Sequence, residues 1–380
     1  MATKNRSIFE EVGTTQKQVA APGGIDRGGQ GARGPIRIWL GIIFALVGVM
    51  ILVGGLTRLT DSGLSITEWA PITGAKPPAS EAEWAIAFEK YKAIPEYQLQ
   101  NKGMSLAEFK GIFWWEWGHR QLGRVIGLVW AVGFFGFLAL RKMPSGWSGK
   151  LLGLGALGGL QGAIGWWMVS SGLKEGMLDV ASYRLATHLG LAFVIFGVIT
   201  WYIMRLSRRE VDLLQARRLA DARLSKLGTW LIGLAFLQII LGALVAGIDA
   251  GRHYPDWPLM GGGFFPPQPF DLVPLWRNFF EDPGLVQFMH RMAGYVLFAF
   301  GLYVWSRARK SANVRTKFAF SAMMAMMFIQ VVIGIVTVIY SAPVNIAIVH
   351  QLGAVVLWVL VIRARFLAAY PHPQSVRGKA

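Results

Sequence analysis

Four histidines, His119, His188, His290 and His350, each stand at the start of a long apolar segment, in a chain of 380 residues with only six histidines. Neutral imidazole ligates iron, and ionisable groups at membrane depth are costly enough to mark function. Their settings come in two repeated kinds. His119-Arg120-Gln121-Leu122-Gly123 matches His290-Arg291-Met292-Ala293-Gly294, and His188-Leu189-Gly190 resembles His350-Gln351-Leu352-Gly353. A lone histidine there reads as an interfacial polar residue, whereas four in duplicated settings read as metal ligands. Two separated pairs, without thiolates or an evident third protein ligand, favour haem over zinc or copper. The expected pairs are His119 with His188 and His290 with His350, because crossed pairing would have to span both copies of the repeat.

The neighbours of these histidines suit a macrocycle. Gly123 and Gly294 lie one helical turn beyond a ligand, where a missing side chain admits a porphyrin edge. Arg120 and Arg291 sit beside the ligands and can pair with propionates. One acid breaks the symmetry: Glu116 precedes His119 by three residues, and the matching position in the second half is Gln287. A carboxylate there can move protons or stabilise developing positive charge; it can equally be an interface acid paired with Arg120 or Arg124. The asymmetry is what is expected if one site does chemistry while its near-copy only carries electrons. His253 and His372 lack the repeated setting and read as solvent-exposed.

Such ligands need rigid elements, and the sequence supplies eight. Apolar residues make up 54% of the chain, gathered in runs too long for ordinary buried helices. The runs fall near 38–57, 119–140, 151–170, 185–204, 228–247, 287–306, 318–340 and 346–363. Continuous runs of this kind predict helices rather than a barrel of alternating strands. The formal charge of +17 is concentrated in alternate connections: Lys4 to Arg37, Arg141 to Lys150, Arg205 to Lys226, Arg307 to Lys317, and Arg363 to Lys379. Drawing eight spans puts all of these on one side, which predicts cytoplasmic termini and no nucleic-acid partner. All four repeated histidines then fall near the outer face. Trp114, Trp115, Trp117, Trp166 and Trp167 fit an aromatic belt there. The absence of cysteine excludes disulfides, thiolate ligation and covalent haem attachment through thioethers.

Further pairs extend the repeat. Gly54-Gly55-Leu56-Thr57 aligns with Gly242-Ala243-Leu244-Val245, and Gln161 to Gly165 with Gln330 to Gly334. Four spans per copy give a parallel repeat. The expected fold is all-α and polytopic, two tandem pseudo-symmetric four-helix bundles with a pseudo-twofold axis along the membrane normal. Its expected divisions are a disordered cytoplasmic tail (1–37), a first bundle on the substrate side (38–204), a linker (205–227), a second bundle (228–363) and a second tail (364–380). Gly155, Gly158, Gly159, Gly162 and Gly165 suggest close helix packing, and Met323, Met324, Met326 and Met327 read as packing residues. The 80–110 loop has amphipathic helical character suited to the membrane surface, and the 255–271 loop suits a cover.

With these residues in view, the chain resembles the haem A synthase family, in its cysteine-free proteobacterial and mitochondrial-like form. The resemblance covers 38–363 and rests on Gly54-Gly55-Leu56-Thr57-Arg58-Leu59-Thr60, Glu116-Trp117-Gly118-His119-Arg120 with Gly123 and Arg124, Thr187-His188-Leu189-Gly190, His290-Arg291 with Gly294, and His350-Gln351-Leu352-Gly353. It implies an enzyme of a bacterial inner membrane that oxidises a ring methyl of haem O to the formyl of haem A by successive hydroxylations. It implies that His290 and His350, with Arg291 and Gly294, hold a resident haem b. His119 and His188, with Arg120 and Gly123, fall to the substrate haem O, and Glu116 matches the family's acidic residue. Implied partners are membrane lipid, an electron acceptor, and a haem O synthase or oxidase-assembly factor. The competing class from the residues alone is a dihaem b electron carrier such as a quinol oxidoreductase, which has no use for the acid at 116.

Overall fold

The computed structural model describes residues 32–374. Among them are eight helices long and apolar enough to cross a membrane: α1 (Arg33–Leu59), α4 (Leu106–Ala139), α5 (Ser148–Gly172), α6 (Ser182–Leu206), α8 (Ala222–Gly247), α10 (Pro283–Ala308), α11 (Val314–Ile339) and α12 (Val344–Ala369). Four short helices complete the set: α2 (Glu81–Lys92), α3 (Pro95–Leu99), α7 (Glu210–Arg218) and α9 (Asn278–Glu281). Helices dominate because lipid offers no partner to a backbone N–H or C=O, so each span must satisfy its own. An isolated bridge between Met260 and Gly263 is the only β pairing among the described residues.

Seven spans lie within a few residues of their expected limits, but α4 starts about three turns early. Its polar first turns belong to the helix because Ser105 and Glu108 form a reciprocal capping box at its N-terminus. His119 therefore sits well inside α4 rather than at its start, whereas His188, His290 and His350 lie about two turns into α6, α10 and α12. Asp221, Asp282 and Asn313 cap α8, α10 and α11 through their side-chain oxygens. The expected first tail loses 33–37 to α1, the second loses 364–369 to α12, and the linker contains α7. Residues 1–31 and 375–380 of the expected tails lie outside the described residues.

Helix packing joins the spans in two groups. α1 packs on α4 and α6, and α5 on α4 and α6; α8 packs on α10 and α12, and α11 on α10 and α12. Between these groups α6 meets α8 and α12, and α1 meets α12. Phe193, Phe196 and Ile199 of α6 interlock with Trp358, Val361 and Ile362 of α12, all buried in one core. The indole of Trp358 donates to the Phe193 carbonyl at 3.0 Å, so even this apolar seam leaves no stray N–H. Met323, Met324 and Met327 are buried in the same core, as expected of packing residues.

The end opposite the termini carries a second, smaller core. Trp84, Phe88 and Tyr91 of α2 bury against Phe109 and Phe113 of α4, with Leu64 and Val180. The 80–110 segment is thus a cap with its own apolar centre, built on the early turns of α4. At the same end Arg58 of α1 bonds Asp61 at 2.8 Å, Asp249 at 2.8 Å and Asp179 at 3.4 Å. Asp249 follows α8 and Asp179 precedes α6, so this one guanidinium joins the loop ends of three spans.

Candidate haem sites

Each repeated histidine rests on a glycine of the preceding span. A Cβ added at Gly54 of α1 would lie 3.0 Å from Cε1 of His119, and one at Gly165 of α5 would lie 2.9 Å from Cε1 of His188. The same holds for Gly242 of α8 with His290 at 3.0 Å and Gly334 of α11 with His350 at 3.1 Å. Any larger residue would push the ring out of place. Four histidines thus share one local design: an imidazole from an even span laid on bare backbone of the odd span before it. The sequence repeat contains these glycines, but their partnership with the rings needed three dimensions.

A glutamine one turn before the glycine then grips the ligand in three of the four cases. Gln161 donates to the His188 carbonyl at 3.0 Å, and its amide nitrogen lies 3.2 Å from Nδ1. Gln238 donates to the His290 carbonyl at 3.1 Å and lies 3.2 Å from that Nδ1. Gln330 donates to the His350 carbonyl at 2.6 Å. The fourth such position is Met50, whose methyl would meet a Cβ on Gly123 at 3.5 Å, as Gln238 would meet one on Gly294 at 3.2 Å. Gly123 and Gly294 therefore make room for the side chain from the preceding span. Sequence reasoning had aligned Gln161 with Gln330 but given neither a role, and it had overlooked Gln238 and Met50; the shared Xaa-x-x-x-Gly spacing was the available signal.

The donor set fits haem iron. The His290 and His350 rings are 6.5 Å apart between centroids, at 85° to each other. A metal bridging two imidazoles at metal–nitrogen distances of about 2 Å keeps their centroids roughly 6 Å apart. Nδ1 of His119 and of His350 is buried without a partner, as is Oε1 of Gln161, Gln238 and Gln330. All four histidines are only half-buried, which leaves each an open side. No group of three or more His, Asp and Glu converges on one point among the described residues. On α5, a Cβ at Gly158, Gly159 or Gly162 would meet nothing within 4 Å. The close packing expected of that stretch holds at Gly155, which abuts Trp130, and at Gly165.

Near His119 and His290, side chains of α4 and α10 clamp a loop in each half. Glu116 is buried, accepting from Ser65 Oγ and the Ile66 N–H, each at 2.7 Å, through Oε2. Its Oε1 accepts from Arg120 Nη2 at 2.6 Å and Nε at 3.1 Å. Arg120 also donates to the carbonyls of Ile66 and Glu68. Arg124 holds the carbonyls of Ala70 and Pro71. In the second half Gln287 and Arg291 donate to the Tyr254 carbonyl, and Arg291 to that of Leu259. Of the two readings open for Glu116, pairing with Arg120 is realised. The guanidinium expected to meet a propionate is engaged at all three nitrogens by Glu116 and the Ile66 and Glu68 carbonyls, whereas Arg291 keeps a buried Nε without a partner. His253 is exposed as expected; His372 is half-buried, and its carbonyl accepts from Asn313.

The chain is similar along its length to known proteins of one family. The family model described as cytochrome oxidase assembly protein, COX15-CtaA, matches residues 37–362. A heme A synthase of Ruegeria sp. (strain TM1040) is 66% identical over 98% of this chain and 99% of its own length. Heme A synthases of Dinoroseobacter shibae and Jannaschia sp. (strain CCS1) are 66% and 60% identical, each over 99% of both chains. A match of this extent spans every histidine, glycine seat and clamp described above, and the chain belongs to the COX15-CtaA family of cytochrome oxidase assembly proteins.

Proposed function

We propose that this protein is a haem A synthase that oxidises the C8 methyl group of haem O to the formyl group of haem A. The observation that carries the reading is a duplicated imidazole-on-glycine unit with a buried carboxylate beside only one copy. His290 and His350 hold a resident haem b, and His119 and His188 receive the substrate. The packing pattern supports two tandem four-helix bundles about a pseudo-twofold axis: α1, α4, α5 and α6 correspond to α8, α10, α11 and α12. The basic connections place both termini in the cytoplasm of a bacterial inner membrane, and the sites near its outer face.

Each hydroxylation replaces a C–H bond of the methyl carbon by a C–O bond to oxygen from water, releasing two electrons and two protons, the electrons to an acceptor. His290 and His350 would hold haem b, which when bound would supply one-electron redox chemistry. The protein's own contribution is electrostatic. Glu116 accepts four hydrogen bonds, so its charge is fixed in place before the reaction begins. A preorganised anion in a water-poor site favours positive charge developing on a neighbouring substrate carbon. Gln287, which occupies the matching place, keeps the loop clamp and drops the charge. The half-buried imidazoles let a large apolar substrate approach from lipid, and the loops clamped by Arg120 and Arg291 cover the outer side. Conversion in membranes that hold haem O and an electron acceptor, with mass spectrometry of the extracted pigments, tests the reading. Haem A is expected. Intact protein carrying two equivalents of haem b and converting none would instead make it a dihaem electron carrier.

A further inference from the structure

The end of the bundle where α1 begins and α12 ends is strongly basic, and its few acids are already engaged. From 205 to 227 the acids are Glu210, Asp212 and Asp221, and 307–317 and 363–380 have none. Glu210 pairs with Arg205 and Asp212 with Arg209, while Asp221 caps α8 through the Leu224 N–H at 2.8 Å. Arg208 turns to the carbonyls of Tyr370 and Pro371.

Three cations without an acid partner among the described residues converge at this end. Arg217 at the end of α7, Lys226 in the second turn of α8 and Arg365 near the end of α12 line one open cleft of about 360 Å³, with Ser225, Thr229 and Tyr370. No carboxylate lines it. Arg365 is held in advance. Gly228 lets α8 close on its stem, since a Cβ there would fall 3.0 Å from Arg365 Cβ and Cγ. Its guanidinium stacks over Trp201, 5.0 Å from the ring centroid, and Nε donates to Thr229 Oγ1 at 3.3 Å. The terminal nitrogens keep a planar fork for an incoming group, the geometry that suits two oxygens of a phosphate.

The surface beneath the cleft decides between a soluble anion and a lipid. Trp230, Gly233 and Leu237 continue the face of α8 that bears Lys226; all are exposed, and a Cβ at Gly233 would meet nothing within 4 Å. A cationic cleft at the end of a span, above an open apolar track, matches a molecule with a phosphate head and hydrocarbon chains. Basic pockets between spans are where such head groups bind.

We propose that the cleft formed by Arg217, Lys226 and Arg365 binds the phosphate of an anionic phospholipid, whose acyl chains lie along α8 from Trp230 to Leu237.

Native mass spectrometry of the full chain in a neutral detergent, titrated with phosphatidylglycerol, tests this. One lipid is expected to stay on each chain at concentrations where phosphatidylcholine, whose choline offsets the phosphate charge, does not. Arg217→Gln combined with Lys226→Gln should weaken retention by roughly 25-fold, about five-fold for each cation. Both side chains are exposed, so the fold does not depend on them. Arg365→Lys keeps the charge but loses the fork, and should weaken retention by about tenfold. Lys142→Gln combined with Arg315→Gln removes the same charge from exposed positions at the same end and should change nothing. Equal weakening by the two double variants, unchanged retention in Arg365→Lys, or equal retention of phosphatidylcholine overturns the site. Inorganic phosphate at millimolar concentration should not displace the lipid; displacement would make the cleft a soluble-anion site and overturn the lipid assignment.

Discussion

The side-chain amide of Gln351 donates to the backbone carbonyl of Ile51 at 2.6 Å, linking α12 of one half to α1 of the other. Gln351 follows the ligand His350, and Ile51 lies one turn before Gly55 and next to Met50. A Cβ at Gly55 would fall on the Gln351 amide, so this glycine is what lets the two helices approach. One short contact therefore ties α12 beside His350 to α1 beside Met50. Gly55→Ala is expected to destabilise the protein by about 1–3 kcal/mol, as overpacking does. Adding Gln351→Ala should recover part of that loss, because the clash disappears together with a hydrogen bond worth about 1 kcal/mol in a membrane. Thermal unfolding of the single and double variants in detergent gives the coupling directly; simple additivity would show that the two residues do not interact.

Glu116 has two separable duties, holding the 65–68 loop and supplying charge. Glu116→Gln keeps an oxygen for Ser65 and Ile66, and Gln287 with Arg291 shows that an amide serves in the same place. That variant should keep its haem b and thermal stability while conversion falls by about 10²–10³-fold. Glu116→Ala should lose conversion and also free the loop, seen as faster proteolysis of 61–80. Full conversion by Glu116→Gln would reduce the carboxylate to a loop clamp.

The outer cap should weaken as pH rises. Glu96 is buried, with one carboxylate oxygen unpartnered and the other 3.4 Å from Asn101. Burial, followed by the nearby carboxylates of Asp179, Asp61 and Glu116, pushes its pKa up to about 8, despite a hydrogen bond with Tyr91 that acts the other way. The folded state thus holds a proton that the unfolded chain gives up at ordinary carboxylate values. Stability is fully present below the unfolded pKa and falls as pH climbs towards 8, beyond which this group adds no further slope. Hydrogen exchange of α2 and α3 at pH 5 and pH 8 reads the effect. Glu96→Gln should flatten the difference and protect the cap at pH 8; an unchanged slope would assign it to other groups.

Much of this arrangement was legible in the sequence because a bilayer demands it. Eight apolar runs become eight helices for want of any other way to pair the backbone in lipid, and repeated His119/His290 and His188/His350 settings single out the four histidines that rest on glycine seats. The early start of α4 was hidden because Leu106 to Trp117 mixes charge with aromatics, lowering its hydropathy while burying Phe109 and Phe113 in the cap. The glycine seats and Gln238 were hidden for another reason. Residues on adjacent spans meet only once the depth and rotation of both helices are fixed, and one sequence gives neither. Gly158 and Gly162 show the converse: a small-residue spacing that promises close packing faces open space.

The seats provide the sharpest test of which pair holds which haem. A methyl at Gly242 or Gly334 must displace His290 or His350, because Cε1 would lie only 3.0 or 3.1 Å away, tighter than ordinary contact. Displacement of a ligand ring by a few tenths of an ångström strains a bond whose orientation is otherwise fixed by packing. Gly242→Ala and Gly334→Ala should therefore lower the haem b content of the purified protein, and conversion with it. Gly165→Ala, against His188 at 2.9 Å, should leave haem b in place and raise the substrate concentration needed for half-maximal conversion by roughly tenfold, the lower end of what a lost orienting partner costs. Pigment extraction and substrate titration on the same preparations separate the outcomes. Loss of haem b in Gly165→Ala with full retention in Gly242→Ala would exchange the roles of the two halves, leaving Glu116 beside the resident haem.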